Sequence, residues 1–186
     1  MTGNYTNLPD ALPAPEDDGA ANHLEGLRFP DLELPATGGG TLNPGRLPGQ
    51  WVIYVYPMTG RPGVALPEGW DRIPGARGCT PQSLGFREQH GELSALDTGV
   101  LGLSAQSTAY QEEARERLQL PFRLLSDTSL QLKELLQLPT FTADGMELYR
   151  RLTLILREGD IIKVFYPVFP PDRSAEQVLA WLHTRE

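Results

Sequence analysis

Hydrophobic and polar positions alternate along this chain with two different periods, and their order predicts the architecture. Gln50 is followed by Trp51-Val52-Ile53-Tyr54-Val55-Tyr56, an unbroken aromatic and β-branched run whose length and composition predict a central strand buried on both faces. Shorter segments, Phe29 to Leu34 and Thr41 to Leu42, are separated by Gly38-Gly39-Gly40 and read as edge strands. Between Pro57 and Gly78, Gly and Pro crowd the sequence and no apolar period survives, which predicts a long loop leaving the central strand. Thr80-Pro81 then supplies helix-start chemistry, and Leu84, Phe86, Leu93 and Leu96 form an apolar stripe, so a helix is expected at or just after Cys79.

Further on, Gly99 to Leu103 reads as a strand, Gln106 to Leu118 as a helix, Phe122 to Leu125 as a strand and Ser129 to Gln137 as a helix. Leu152 to Leu156 and Ile161 to Phe165 are expected to be strands joined at Glu158-Gly159-Asp160, ahead of a last helix from Ser174 to His183. Strands alternating with helices, and a hairpin late in the chain, predict an α/β fold of the thioredoxin type, a mixed central sheet with helices on both faces.

Composition refines this picture at one end. Up to Gly26 the chain carries Asp10, Glu16, Asp17, Asp18 and Glu25 with no Lys or Arg, several prolines and few large apolar residues. Residues 1–26 are therefore expected to form a flexible acidic extension, ahead of a folded domain over 27–186. Eighteen or more consecutive apolar residues, the length of a membrane span, occur nowhere, and the start lacks the basic-then-apolar layout of a secretion signal. A cytoplasmic protein without membrane contact is expected. A net charge of −8 speaks against nucleic acid as a partner, because phosphate backbones are held by clustered Lys and Arg. One cysteine excludes an internal disulfide, and His23, His90 and His183 lie too far apart in sequence for metal-ligand spacing. No metal site is expected.

That cysteine, Cys79, is placed where its chemistry changes. At the start of a helix a sulfur meets unpaired backbone N–H groups and the positive end of the helix dipole. Only the thiolate is a nucleophile, and an ordinary thiol is only about 3% ionised at pH 7, so a site that favours the anion gains reactivity directly. Arg77, two residues earlier, offers further positive charge.

With these elements in view, the chain resembles a known family. Phe29-Pro30-Asp31-Leu32-Glu33-Leu34, Trp51-Val52-Ile53-Tyr54-Val55-Tyr56-Pro57, Gly78-Cys79-Thr80-Pro81-Gln82 and Arg151-Leu152-Thr153-Leu154-Ile155 look like peroxiredoxins, particularly the bacterioferritin-comigratory or Q type. The likeness runs from Leu27 to the C-terminus. It implies a thioredoxin-like fold, reduction of hydrogen peroxide and organic hydroperoxides, no bound cofactor, and Cys79 as the peroxidatic nucleophile. It further implies that Arg151 stabilises the thiolate and the peroxide, and that backbone N–H groups around Gly78 and Cys79 hold the peroxide oxygens. Strand alternation places Arg151, Thr153 and Ile155 on one face and Leu152, Leu154 and Leu156 on the other.

Two departures from the family pattern matter. The hydroxyl usually found three residues before the cysteine is missing, because Ala76 stands there, and Thr59 is the candidate to fold back and replace it. Many Q-type members carry a resolving cysteine five residues after the first, where this chain has Leu84. The resemblance therefore narrows to a one-cysteine mechanism in which the sulfenic acid is reduced from outside by a thioredoxin, a glutaredoxin or a low-molecular-weight thiol. It also implies a monomer. Two other readings of the same residues are a thiol-based peroxide sensor with slow turnover and an inert thioredoxin-fold interaction module.

Overall fold

In the computed structural model, which describes residues 5–185, the chain first forms a minimal antiparallel pair, β1 (Leu34–Pro35) and β2 (Thr41–Leu42). The aromatic run becomes β3 (Gln50–Val55), and after the long loop come α1 (Cys79–Glu88) and α2 (His90–Ala95). Next follow β4 (Thr98–Ser104), α3 (Thr108–Leu118), β5 (Arg123–Ser126) and α4 (Gln131–Leu136). The chain ends with β6 (Thr140–Ala143), β7 (Met146–Tyr149), β8 (Leu152–Arg157), β9 (Asp160–Phe165) and α5 (Ser174–His183).

Five strands make the main sheet, in the order β5-β4-β3-β8-β9. β3 pairs parallel with β4 and antiparallel with β8; it is the middle strand. Its alternate side chains enter different cores, as period-two geometry requires. Val52 and Tyr54 join Phe86 of α1, Ile155 of β8 and Val178 of α5 on one face, whereas Ile53 and Val55 join Leu24, Phe29, Leu132 of α4 and Leu154 on the other. A sheet covered on both sides suits the uninterrupted apolar run that encodes its centre.

Of the edge strand expected over Phe29 to Leu34 only Leu34 is in a strand, and three further features differ from the sequence-based expectations. β6 and β7 form a hairpin in a stretch to which the sequence reading assigned no element, closed by Asp144 and Gly145 with φ of 49° and 73°; Asp-Gly favours that turn because both positions need positive φ. The helix expected from Cys79 to Leu96 breaks at Gln89, which caps α1 and precedes α2.

The third concerns the acidic extension. Its first four residues lie outside the described ones, but residues 5–26 are laid against the domain. Ala21 and Leu24 are buried in the core, and Glu25 accepts hydrogen bonds from Lys163 Nζ at 2.9 Å and from the Val164 N–H at 3.0 Å. Asp10, Glu16, Asp17 and Asp18 remain exposed. Leu24 and Ala21 supply the apolar burial that the average composition of the segment conceals, while the charges stay in water.

Candidate active site

The centre of the site is the junction where the long loop after β3 turns into α1. Gly78 caps the helix with φ of 110°, a left-handed conformation that costs glycine little. A Cβ built on it would lie 2.3 Å from Pro171 Cγ, so both backbone conformation and packing demand glycine there. Cys79 follows as the first residue of the helix and is buried, with 3% of its surface exposed. Pro81 sits in the first turn, where a missing N–H costs nothing.

Arg151, the residue immediately before β8, reaches this sulfur. Its Nη2 donates to Cys79 Sγ at 3.2 Å and to the carbonyls of Ala76 at 3.0 Å and Arg77 at 3.3 Å, and its Nη1 donates to Gln82 Oε1. The guanidinium is as buried as the sulfur, at 3% exposure. Of the four groups it contacts, an amide oxygen, two carbonyl oxygens and a sulfur, only the sulfur can carry a negative charge. No ion pair joins Arg151 to a carboxylate among the described residues. An unpaired charge in a protein interior is costly, and the sulfur, which also lies 3.7 Å from the Ala76 carbonyl oxygen, is the one contacted group able to offset it.

The alternation expected after Arg151 is present: Ile155 faces the Cys79 side of the sheet, and Leu152, Leu154 and Leu156 face the other. Thr153 shares the site face, where its hydroxyl lies 3.4 Å from that of Ser174, which in turn accepts from Gln82 Nε2 at 3.2 Å. Gln82, Ser174 and Thr153 thus form a buried polar chain that fixes Gln82, and Gln82 fixes the guanidinium. Sequence reasoning assigned no role to Gln82 or Ser174. The available signal was a polar side chain three residues after Cys79, hence on the same side of the helix.

Thr59 is not brought to the sulfur. It is buried, its hydroxyl donates to Gln106 Oε1 at 3.2 Å, and its N–H donates to the same oxygen at 3.0 Å; the Gln106 amide closes the pair by donating to Thr59 O at 3.3 Å. The loop spends this threonine on its own anchoring to the segment after β4. A different threonine, Thr80, lines the same cavity as Cys79, and its Oγ1 is buried without a hydrogen-bond partner among the described residues. The Nε of Arg151 is in the same condition. Buried polar atoms seldom remain unsatisfied, and here two of them belong to residues beside Cys79, one its chain neighbour and one its hydrogen-bond partner.

Arg77 lines the Cys79 cavity and donates to Asp71 Oδ1 at 3.0 Å. Trp70 packs with Ala76, Ala143 and Leu148 in a small core of its own and also lines the Cys79 cavity. Leu84 packs against the core on the α1 side of the sheet. Burial raises the Tyr54 and Tyr56 phenols well above their ordinary range, with Cys79 a smaller contributor, which marks the surroundings of the sulfur as poorly hydrated.

Comparison with known proteins gives this geometry its family. The Redoxin family model matches residues 24–179, a span that includes Cys79 and Arg151. Peroxiredoxin Bcp of Bacillus subtilis is 30% identical over 156 residues, covering 81% of this chain and 90% of that protein. The chain belongs to the peroxiredoxin family. Peroxiredoxin bcp1 of Schizosaccharomyces pombe is 28% identical over 130 residues, 66% of this chain and 59% of that one. Among solved structures, peroxidoxin BcpB from Mycobacterium tuberculosis superposes with a TM-score of 0.68 at 21% identity, over 87% of this chain and 97% of the other. Peroxiredoxin Q of Xanthomonas campestris gives 0.65 at 24% identity, over 87% and 96%. The fold is thus the thioredoxin-like fold of the peroxiredoxins, and this member is a thiol-dependent peroxidase of the Bcp/Q type with a single cysteine.

Proposed function

We propose that catalysis runs through Cys79 as peroxidatic nucleophile, with Arg151 holding the sulfur as an anion and an external thiol completing the cycle. The observation that carries this reading is the buried contact between Arg151 Nη2 and Cys79 Sγ, with no carboxylate paired to the guanidinium among the described residues. In the first step the sulfur attacks one peroxide oxygen. An S–O bond forms as the O–O bond breaks, the sulfur is oxidised to the sulfenic acid, and the departing hydroxide or alkoxide takes up a proton and leaves as water or alcohol. The unsatisfied Nε of Arg151 and the backbone N–H groups of Gly78 and Cys79 stabilise the charge that develops on the leaving oxygen.

No second thiol exists in the chain. Resolution therefore begins when an external thiol attacks the sulfenic sulfur and expels water to give a mixed disulfide; a second thiol then exchanges with it and regenerates Cys79. A thioredoxin, a glutaredoxin or a low-molecular-weight thiol serves this purpose, and a reducing cytoplasm supplies all three. Because Leu84 packs into the core, α1 has no resolving sulfur to deliver and stays folded through the cycle. Cys79, Arg151 and Gln82 come from one chain, so a monomer carries the complete set. Many peroxide turnovers per protein with a thioredoxin system or glutathione are expected; a single oxidation without recycling would instead favour a sensor.

Thr80 supplies the hydroxyl that Ala76 lacks. Thr80→Val is expected to slow Cys79 oxidation by about ten-fold, the upper end of one neutral hydrogen bond, in stopped-flow measurements with hydrogen peroxide. Its melting temperature should be unchanged or higher, because an unsatisfied buried hydroxyl is replaced by a methyl of the same shape. A slower reaction accompanied by a large loss of stability would contradict this role.

A further inference from the structure

The N-terminal segment crosses the mouth of the Cys79 site. Tyr5 lines the same cavity as Cys79, together with Met58, Leu66 and Trp70. Its hydroxyl donates to Val64 O at 3.0 Å, and its ring stands 3.0 Å from the position of a Cβ built on Gly60. The Arg77 guanidinium lies 5.5 Å from the ring centroid. Leu8 Cδ2 comes within 2.8 Å of the Cβ position of Gly78, the residue before the nucleophile, and Pro15 lies 3.4 Å from that of Gly75. Pro15 also lines the neighbouring cavity on the Arg151 side. At the far end the Asp18 carboxylate accepts from Tyr166 Oη at 2.9 Å.

Two properties of this segment bear on access. The Cys79 cavity holds only about 10 Å³, room for about one water-sized molecule, so as it stands it suits only the smallest hydroperoxides. Between Tyr5 and Pro15, residues 6–14 are mostly exposed and belong to no helix or strand. Segments with little buried surface are those that open most readily. Beneath Tyr5, the wall formed by Met58, Leu66 and Trp70 is apolar.

We propose that residues 5–18 form an entrance strap and that Tyr5 is a specificity-determining residue, admitting small hydroperoxides directly and alkyl or aryl hydroperoxides only when the strap lifts. This rests on Cys79 being the peroxidatic cysteine. With the strap in place the hydrogen peroxide reaction is fast and bulky substrates carry an added opening cost. With it displaced, Met58, Leu66 and Trp70 accept the organic group.

The test compares second-order rate constants for Cys79 oxidation by hydrogen peroxide and by cumene hydroperoxide in the full chain, with Tyr5→Ala, Tyr5→Phe and Asp18→Ala. Tyr5→Ala is expected to raise the cumene-to-hydrogen-peroxide ratio about five-fold or more, the effect of easing an opening step modestly. Asp18→Ala should raise it in the same direction, and Tyr5→Phe, which keeps the ring, should raise it less than Tyr5→Ala. A ratio unmoved by Tyr5→Ala, with rapid oxidation retained, would overturn the strap alone. Absence of oxidation by either hydroperoxide in the unsubstituted chain would overturn the peroxidase reading and the strap's role with it.

Discussion

Replacing Cys79 with serine is expected to abolish hydroperoxide consumption, leaving only the background rate of the added thiol. The chain contains no second thiol that could take over, and a serine hydroxyl at neutral pH is neither ionised nor able to pass through a sulfenic acid. The contact with Arg151 adds a physical signature that loss of activity alone would not supply. If the sulfur is the counterion of a buried guanidinium, Cys79→Ser also strands that charge, and the variant should lose about 1.5–3 kcal/mol of stability, the range for a hydrogen bond to a charged group. Denaturant unfolding of the reduced proteins measures it. Full retention of turnover in Cys79→Ser would remove the nucleophile from the account, and unchanged stability would remove the counterion.

Arg151→Met is expected to have the second-largest effect, slowing oxidation of Cys79 by about 10²- to 10³-fold, as loss of a preorganised donor to a developing oxyanion does. Methionine fills similar space without a buried charge, so the fold should survive better than the activity. Combined with Cys79→Ser it should recover part of the stability that Cys79→Ser loses alone, because the stranded cation is gone; such non-additivity is the mark of a direct interaction. Arg151→Lys should rescue little. A single ammonium cannot reach Cys79 Sγ, Gln82 Oε1 and the carbonyls of Ala76 and Arg77 together, as the guanidinium does. Stopped-flow rate constants for the three proteins decide this, and a loss below ten-fold in Arg151→Met would mean that the guanidinium is structural.

Elements with strong local signals were legible in the sequence. The run after Gln50 could only be a doubly buried strand, and Cys79-Thr80-Pro81 after a Gly-rich loop marked a helix start; both stand where expected. The hairpin of β6 and β7 was passed over because its strands have four residues each, too few for a period to declare itself, although Asp144-Gly145 announced the turn. The extension misled for a related reason. Averaged over 26 residues its acidity dominates, yet Ala21 and Leu24 decide where the chain lies.

Within the site, Cys79 and Arg151 were visible as residue types in a recognisable order, and the structure brings them into contact, whereas their support was not visible. Gln82 and Ser174 are 92 residues apart and meet through α1 and α5, and no local pattern encodes a tertiary hydrogen bond. Thr59 shows the opposite failure. Its position in the chain suggested a hydroxyl near the sulfur, but a loop buried this deeply must first satisfy its own polar groups, and Gln106 takes the hydroxyl for that purpose. Thr80 was visible in the sequence as a helix-start residue, and only burial reveals its hydroxyl as unpartnered.

One measurement bears on the whole account: reduced protein is mixed with one equivalent of hydrogen peroxide in a stopped-flow instrument, and a parallel sample is quenched with a sulfenic-acid trap and mapped by mass spectrometry. A sulfur held as an anion against Arg151 should be oxidised orders of magnitude faster than a free thiol in solution, with the trap attached stoichiometrically to Cys79. Oxidation at the rate of an ordinary thiol, or a trap found nowhere on Cys79, would contradict it.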